Sequence, residues 1–219
     1  MYEELAMYID GEWCQGSDGA GEDVINPATE ESLARLPHAS LGDLDRALAA
    51  ANKGFAQWRA TSAYERAGIL YKAADLIRQR ADAIARTLTL EQGKGLAEAR
   101  MEVMVSADIF QWYGEEGKRA YGRIIPSRIP GSRQMVVREP VGPVAAFTPW
   151  NFPAVTPARK IAGALGAGCS CIIKPSEETP GTTIAMVRAL EDAGLPAGVV
   201  NVVFGVPQVV SEHLISSPV

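Results

Sequence analysis

From Val141 onward the sequence alternates between two textures, and that alternation narrows the fold more than any other feature. Val144-Ala145-Ala146-Phe147, Cys169-Ser170-Cys171-Ile172-Ile173 and Val199 to Phe204 are short runs that are apolar almost throughout. Stretches of helical length separate them. Pro157 to about Leu165 is closed by Gly166 and Gly168, Thr182 to Asp192 by Gly194, and Gln208 to Ile215 follows the last run. A strand that is apolar on both faces needs cover on both, and helices in the crossovers supply it. The pattern therefore predicts a parallel sheet with right-handed crossovers, the Rossmann-like doubly wound plan.

In such sheets ligands bind beyond the carboxyl ends of the strands. Two polar clusters sit at those ends. Thr148-Pro149-Trp150-Asn151-Phe152-Pro153 follows the first run, and Lys174-Pro175-Ser176-Glu177-Glu178-Thr179-Pro180 follows the second. Both are expected to face one crevice. Pro149 and Pro153 stiffen the first loop, so the Asn151 amide is held in a fixed direction. A rigid amide donor suits charge developing on an oxygen. Lys174 and Glu177 beside a helix start suit ribose hydroxyls and phosphate. The plainer alternatives are a turn amide for Asn151 and solvated helix-start charges for Lys174 and Glu177.

Residues upstream of the sheet pattern divide in two. Residues 7–36 read as short strands and turns, with Asp10-Gly11 a hairpin signal after Tyr8-Ile9, and Asn26-Pro27 another turn. From Ser40 the pattern is helical. Ser40 with Asp43, and Ser62 with Glu65, resemble capping boxes. Leu44, Leu48, Ala51 and Phe55 recur at helical spacing. An apolar stripe through Leu70, Ala74, Ile77, Ala81, Ile84 and Leu88 reads as one helix from Ser62 to about Glu91, ended by Gly93 and Gly95. A third helix is expected over Leu96 to Arg119. Residues 121–141 hold two β-leaning stretches around Pro126, Pro130 and Gly131, and suggest strands that leave the main body. The expected organisation is residues 1–120 as N-terminal strands and helices, 121–141 as a β arm, and 142–219 as the first βαβαβα part of the sheet domain.

Composition excludes several classes of function. With 47% hydrophobic residues, 21% charged residues and a net charge of -5, the chain has no basic density for nucleic acid. The apolar region from Val141 to Ile173 is broken by prolines, Arg159 and Lys160, so no membrane helix is expected there. Met1 to Asp10 does not read as a signal peptide. Cys14, Cys169 and Cys171 form no metal-ligand pattern, so neither a metal nor a disulfide framework is expected, and a reducing, cytoplasmic setting is the default.

The ordered fragments resemble one family. Pro149-Trp150-Asn151-Phe152-Pro153, Gly166-Ala167-Gly168-Cys169 and Lys174-Pro175-Ser176-Glu177-Glu178-Thr179-Pro180 resemble the aldehyde dehydrogenase superfamily in order and spacing. So do Glu91-Gln92-Gly93-Lys94, Glu139-Pro140-Val141-Gly142-Pro143-Val144 and Gly194-Leu195-Pro196-Ala197-Gly198-Val199-Val200-Asn201. The resemblance covers nearly the whole chain, and among family members the succinate-semialdehyde dehydrogenase-like ones are the nearest in pattern.

The resemblance implies roles residue by residue. Asn151 matches the amide of the oxyanion hole, which stabilises the intermediate formed when a thiolate adds to an aldehyde. Thr148, Pro149 and Trp150 match positions along the cofactor cleft. Lys174 and Glu177, with Pro175 and Ser176 between them, match the segment that holds the adenosine ribose. Gly205 matches a glycine near the cofactor, although Val206-Pro207 stand where the family often has a further glycine. A carboxylate at Glu177 accepts from ribose hydroxyls and repels a 2′-phosphate, so NAD is expected, with NADP the alternative. Arg159, eight residues after Asn151, matches a position that holds the substrate's distal carboxylate in succinate-semialdehyde dehydrogenase-like members. A structural salt bridge is the competing reading of Arg159.

In family order the nucleophilic cysteine, the general-base glutamate and the glycine-rich pyrophosphate segment come later than residue 219. None of Cys14, Cys169 and Cys171 is in the nucleophile's place. The resemblance thus implies an oxidoreductase that makes a carboxylic acid from a small-molecule aldehyde, with this chain inactive by itself and the catalytic domain absent from it. The full-length parent is expected to be a homo-oligomer joined through 121–141. The alternative is a non-catalytic truncated nucleotide-binding module that only associates with full-length subunits.

Overall fold

A computed structural model describes Tyr2 and residues 4–219. The chain opens with a hairpin, β1 (Met7–Ile9) and β2 (Glu12–Cys14). Asp10 and Gly11 make its turn with φ of 51° and 87°, the two positive values that a tight hairpin between right-twisted strands requires. A second antiparallel ribbon, β3 (Gly21–Ile25) and β4 (Ser32–Pro37), follows.

Four helices come next: α1 (Leu41–Ala60), α2 (Ala63–Gln79), α3 (Ala81–Gln92) and α4 (Leu96–Gly117). Both expected capping boxes are present, Ser40 with Asp43 and Ser62 with Glu65. The stripe that reads as one helix to Glu91 is in fact divided at Arg80, whose φ of -96° and ψ of 5° turn the axis. The apolar residues stay in phase across the break: Leu70, Ala74, Ile77, Ala81, Ile84 and Leu88 are all buried. Periodicity alone therefore carries no sign of the corner.

Residues 121–141 form the hairpin β5 (Arg123–Pro126) and β6 (Arg133–Val136), which pair with each other and lie largely exposed. The alternating region then supplies β7 (Val144–Phe147), α5 (Val155–Ala167), β8 (Cys171–Lys174), α6 (Pro180–Asp192), β9 (Val200–Val202) and α7 (Pro207–Ser216). β7, β8 and β9 are parallel neighbours, as the apolar runs predict. The complete sheet runs β2-β1-β9-β8-β7 and is mixed, because β1 adds antiparallel to β9 through Tyr8 opposite Val202. Met7, Tyr8 and Ile9 are buried there, and Asp10 donates its backbone N–H to Asn201 Oδ1 at 3.0 Å.

Val144–Phe147 is less buried than its composition suggests. β7 is an edge strand, so Ala146 is buried but Ala145 is exposed. α5 packs on β7 and β8 and, with α6, lies beneath the layer of α2, α3 and α4, whereas α1 rests on β1, β8 and β9 with α7 against it. α4 and α5 approach closely through Gly166, where an added Cβ would lie 2.6 Å from the Tyr113 carbonyl oxygen.

Candidate functional site

The carboxyl ends of β7 and β8 meet in register, with Phe147 opposite Lys174 and the Thr148 N–H donating to the Lys174 carbonyl at 3.2 Å. The two polar loops therefore leave the sheet side by side. Lys174 is only 5% exposed, which a lysine tolerates when its ammonium is paired. Its Nζ lies 2.5 Å from Glu177 Oε1 and also donates to the Pro175 carbonyl at 3.2 Å. Glu177 Oε1 in turn accepts the Gly205 N–H at 3.2 Å. Gly205 has φ of 145°, a conformation that side chains disfavour, so glycine is needed for this approach. Lys174 and Glu177 are thus not loosely solvated charges at a helix start.

A cleft of about 500 Å³ opens above them, lined by Thr148, Pro149, Lys174, Ser176, Glu177 and Gln208. Thr148 Oγ1 is buried there with no hydrogen-bond partner. A hydroxyl left unsatisfied in a cleft is an open position for a polar ligand atom. Pro175 is buried beneath the cleft, and Trp150 is exposed on the loop without lining it.

Asn151 is exposed at the tip of the same loop, and its side-chain amide makes no hydrogen bond among the described residues. It is not a turn amide. Just beyond it a second groove, of about 490 Å³, is lined by Lys94, Met101, Val105, Phe152, Val155 and Arg159. Arg159 is exposed on α5 and forms no salt bridge among the described residues. The candidate residues therefore fall into two adjoining places. Thr148, Pro149, Lys174, Ser176, Glu177 and Gly205 surround the first, Arg159 opens on the second, and Asn151 sits on the loop that leads from one to the other.

Sequence reasoning missed two buried carboxylates and a lysine. α5 and α6 begin at Ala154 and Thr179 with no side-chain cap of their own. Glu102 on α4 accepts from the Ala154 and Val155 N–H groups at 2.9 and 3.2 Å, and pairs with Lys94 at 2.6 Å. Glu91 on α3 accepts from the Gly181 and Thr182 N–H groups, each at 2.9 Å, and from the Thr182 and Tyr2 hydroxyls. Each carboxylate also meets the positive end of a helix dipole. The available signal was a charge on an otherwise apolar helical stripe: Glu102 stands among Ala99, Val103, Ala107 and Phe110.

The aldehyde dehydrogenase family model matches residues 13–219. The chain belongs to the aldehyde dehydrogenase family. It is 49% identical over 219 residues to the 4-(hydroxymethyl)benzenesulfonate dehydrogenase TsaD1 of Comamonas testosteroni, covering 100% of this chain and 46% of that one. It is 43% identical over 218 residues to the NADP(+) succinate-semialdehyde dehydrogenase GabD of Escherichia coli K12, covering 100% of this chain and 45% of GabD. The crystal structure of the succinate-semialdehyde dehydrogenase from Burkholderia pseudomallei superposes with a TM-score of 0.96 at 43% identity, over 98% of this chain and 44% of that one. This aldehyde dehydrogenase chain thus spans under half the length of the relatives it matches. Cys169 and Cys171 are buried, and burial pushes the Cys171 thiol up to about 12, while Cys14 is half-buried. Among the described residues no helix is long and apolar enough to cross a membrane.

Proposed function

We propose that the full-length protein containing this chain oxidises an anion-bearing aldehyde, of which succinate semialdehyde is the representative, to a carboxylic acid with NAD. The observation that carries the reading is the juxtaposition of the pair formed by buried Lys174 and half-buried Glu177 with the Asn151 loop on neighbouring parallel strands.

Lys174 and Glu177 would hold the cofactor's ribose, one donating and one accepting, and the partnerless Thr148 Oγ1 offers a further contact. When bound, the nicotinamide supplies the hydride acceptor. A Glu177 carboxylate beside the ribose would repel a 2′-phosphate, which favours NAD over NADP. Asn151 would donate its free amide to the oxygen on which charge develops, a contribution of about 3–4 kcal/mol to the barrier. Arg159 would grip the substrate's distal anion with a two-pronged fork. Benzenesulfonate and succinate-semialdehyde, the groups named for two relatives, both carry such an anion.

The division into residues 1–120, an arm over 121–141 and a cofactor segment over 142–219 completes the proposal. The β5–β6 hairpin exposes Ile124, Met135 and Val136, and an edge of this kind invites a partner strand from another subunit. Three free cysteines fit a reducing cytoplasm.

The test is a substrate panel on the full-length protein. Arg159→Ala is expected to lower kcat/KM for succinate semialdehyde by about tenfold or more while changing butanal little. Equal losses on both aldehydes would remove Arg159 from substrate recognition. Absence of NAD-dependent turnover on every aldehyde would favour the non-catalytic module.

A further inference from the structure

We infer that the Lys94–Glu102 ion pair is a positioning device for the Asn151 amide, fastening the segment from Asn151 to Val155 at both ends. The inference rests on the reading of Asn151 given above.

Glu102 lies on the buried face of α4 and is 6% exposed. Its two oxygens divide the work. Oε1 accepts both the Ala154 and the Val155 N–H, which fixes the far end of the segment. Oε2 lies 2.6 Å from Lys94 Nζ. Lys94 is held on the short connection between α3 and α4, directly after Gly93 at φ 87°, and its own N–H donates to Gln92 Oε1 at 3.0 Å. From there Nζ donates to the Asn151 carbonyl at 3.3 Å and stands 4.4 Å from the centre of the Phe152 ring. One lysine thus touches two consecutive residues at the near end of the segment, and its partner carboxylate holds two consecutive residues at the far end.

Among the described residues the Asn151 side-chain amide makes no hydrogen bond, so where it sits follows from its backbone, which Lys94 contacts. A charge pair taken out of water often contributes little net stability, because desolvation offsets the attraction. Here the cap on α5 needs only Oε1. The link from Oε2 through Lys94 to Asn151 is separable from the cap, and the two roles can be distinguished by substitution. An amide displaced by about 1 Å from its productive position costs as much as a hundredfold in rate.

The experiment uses the full-length protein. Lys94→Met removes the ammonium and keeps the apolar stem beside Phe152. Glu102→Gln retains an oxygen for Ala154 and Val155 but turns an N–H donor toward Lys94. Each change is made alone and in an Asn151→Ala background. kcat and KM are measured with succinate semialdehyde and with butanal, NAD affinity by fluorescence titration, and melting temperature in parallel. Both variants are expected to lower kcat by about tenfold on both aldehydes with NAD affinity changed less than about twofold. In the Asn151→Ala background the further loss should vanish, because a positioning residue has nothing left to position. Lys94→Arg should recover most of kcat.

Three results overturn the inference: an unchanged kcat in folded variants, the same loss persisting in the Asn151→Ala background, or a loss confined to KM for succinate semialdehyde. The last would make Lys94 a direct substrate contact. If Asn151→Ala itself leaves kcat intact, the functional reading of Asn151 fails and the inference with it, which is distinguishable from failure of the ion pair alone. Should Glu102→Gln melt early, the partly exposed Lys94→Met still decides.

Discussion

Glu102 accepts a hydrogen bond at 2.9 Å from the backbone N–H of Ala154, a residue far along the chain on the loop that leads into α5. Glu91 does the same for Gly181 at the start of α6. The two crossover helices that follow the functional loops begin without caps of their own, and the helical layer provides them. The N-terminal helices therefore help fix the entry points of α5 and α6, and with them the loops that carry Asn151 and Lys174.

Removing the Glu102 carboxylate should show in stability. Glu102→Ala leaves two buried N–H groups without an acceptor and a helix dipole without its counter-charge. The expected loss is about 2–3 kcal/mol. Glu102→Gln should cost less than half of that, since one side-chain oxygen still serves both N–H groups. Urea denaturation of the full-length protein compares them. Equal losses for the two variants would mean that the charge, not the capping geometry, carries the stabilisation.

Most of the sheet region could be read directly, and the reason is local. Apolar runs at Val144–Phe147 and Cys171–Ile173 are short and bounded by turn residues, which reads as strand. The Ser40 and Ser62 boxes reach only three residues and depend on nothing distant. What escaped the sequence was non-local. β1 joining β9, and Glu91 and Glu102 capping remote helices, bring together residues that no periodicity relates. The corner at Arg80 escaped for the opposite reason, since the stripe continues in phase through it. At the site, the sequence placed the Lys174 and Asn151 loops side by side. It gave no sign that Lys94 reaches the second of them.

Glu91 makes the stability of this chain depend on pH in a defined direction. Burial pushes its carboxyl up to about 7, against the pull of hydrogen bonds from Thr182, Tyr2 and Gly181. The usual value is 4.5, so between 4.5 and about 7 the folded protein holds a proton that the unfolded chain has released. Stability contributed by this group is complete below the lower value and falls as pH rises through the window, by up to about 3 kcal/mol. Glu91→Gln, which cannot ionise, should flatten that part of the profile. Urea unfolding free energies at about pH 4.5 and about pH 8 measure the slope. An identical slope in both proteins would show that other groups produce it.

Two glycines on α5 make a controlled comparison. A Cβ on Gly166 would lie 2.6 Å from the Tyr113 carbonyl oxygen, which α4 cannot yield without shifting as a body. A Cβ on Gly163 would meet the Tyr113 ring at 3.5 Å, an ordinary contact. Gly166→Ala should therefore destabilise by about 1–3 kcal/mol through overpacking. Gly163→Ala should be neutral or stabilising by up to about 1 kcal/mol, since alanine favours the helix. Thermal melts of the two variants test this, and a greater loss at Gly163 would contradict the packing described for α4 and α5.

Cofactor choice should turn on Glu177. Its carboxylate is shared between Lys174 Nζ at 2.5 Å and the Gly205 N–H at 3.2 Å. Glu177→Gln can keep the bond from Gly205 through its carbonyl oxygen, so the loop need not rearrange. The substitution removes the negative charge that opposes a 2′-phosphate and leaves the Lys174 ammonium without a competing anion. NADP should then gain on NAD by about tenfold in the ratio of kcat/KM values, equivalent to about 1.4 kcal/mol. The gain should depend only weakly on salt, because Lys174 and residue 177 are largely shielded from solvent. Steady-state kinetics of the full-length protein at low and high salt decide the matter. A ratio that does not move places the source of cofactor selection elsewhere than at the Lys174–Glu177 pair.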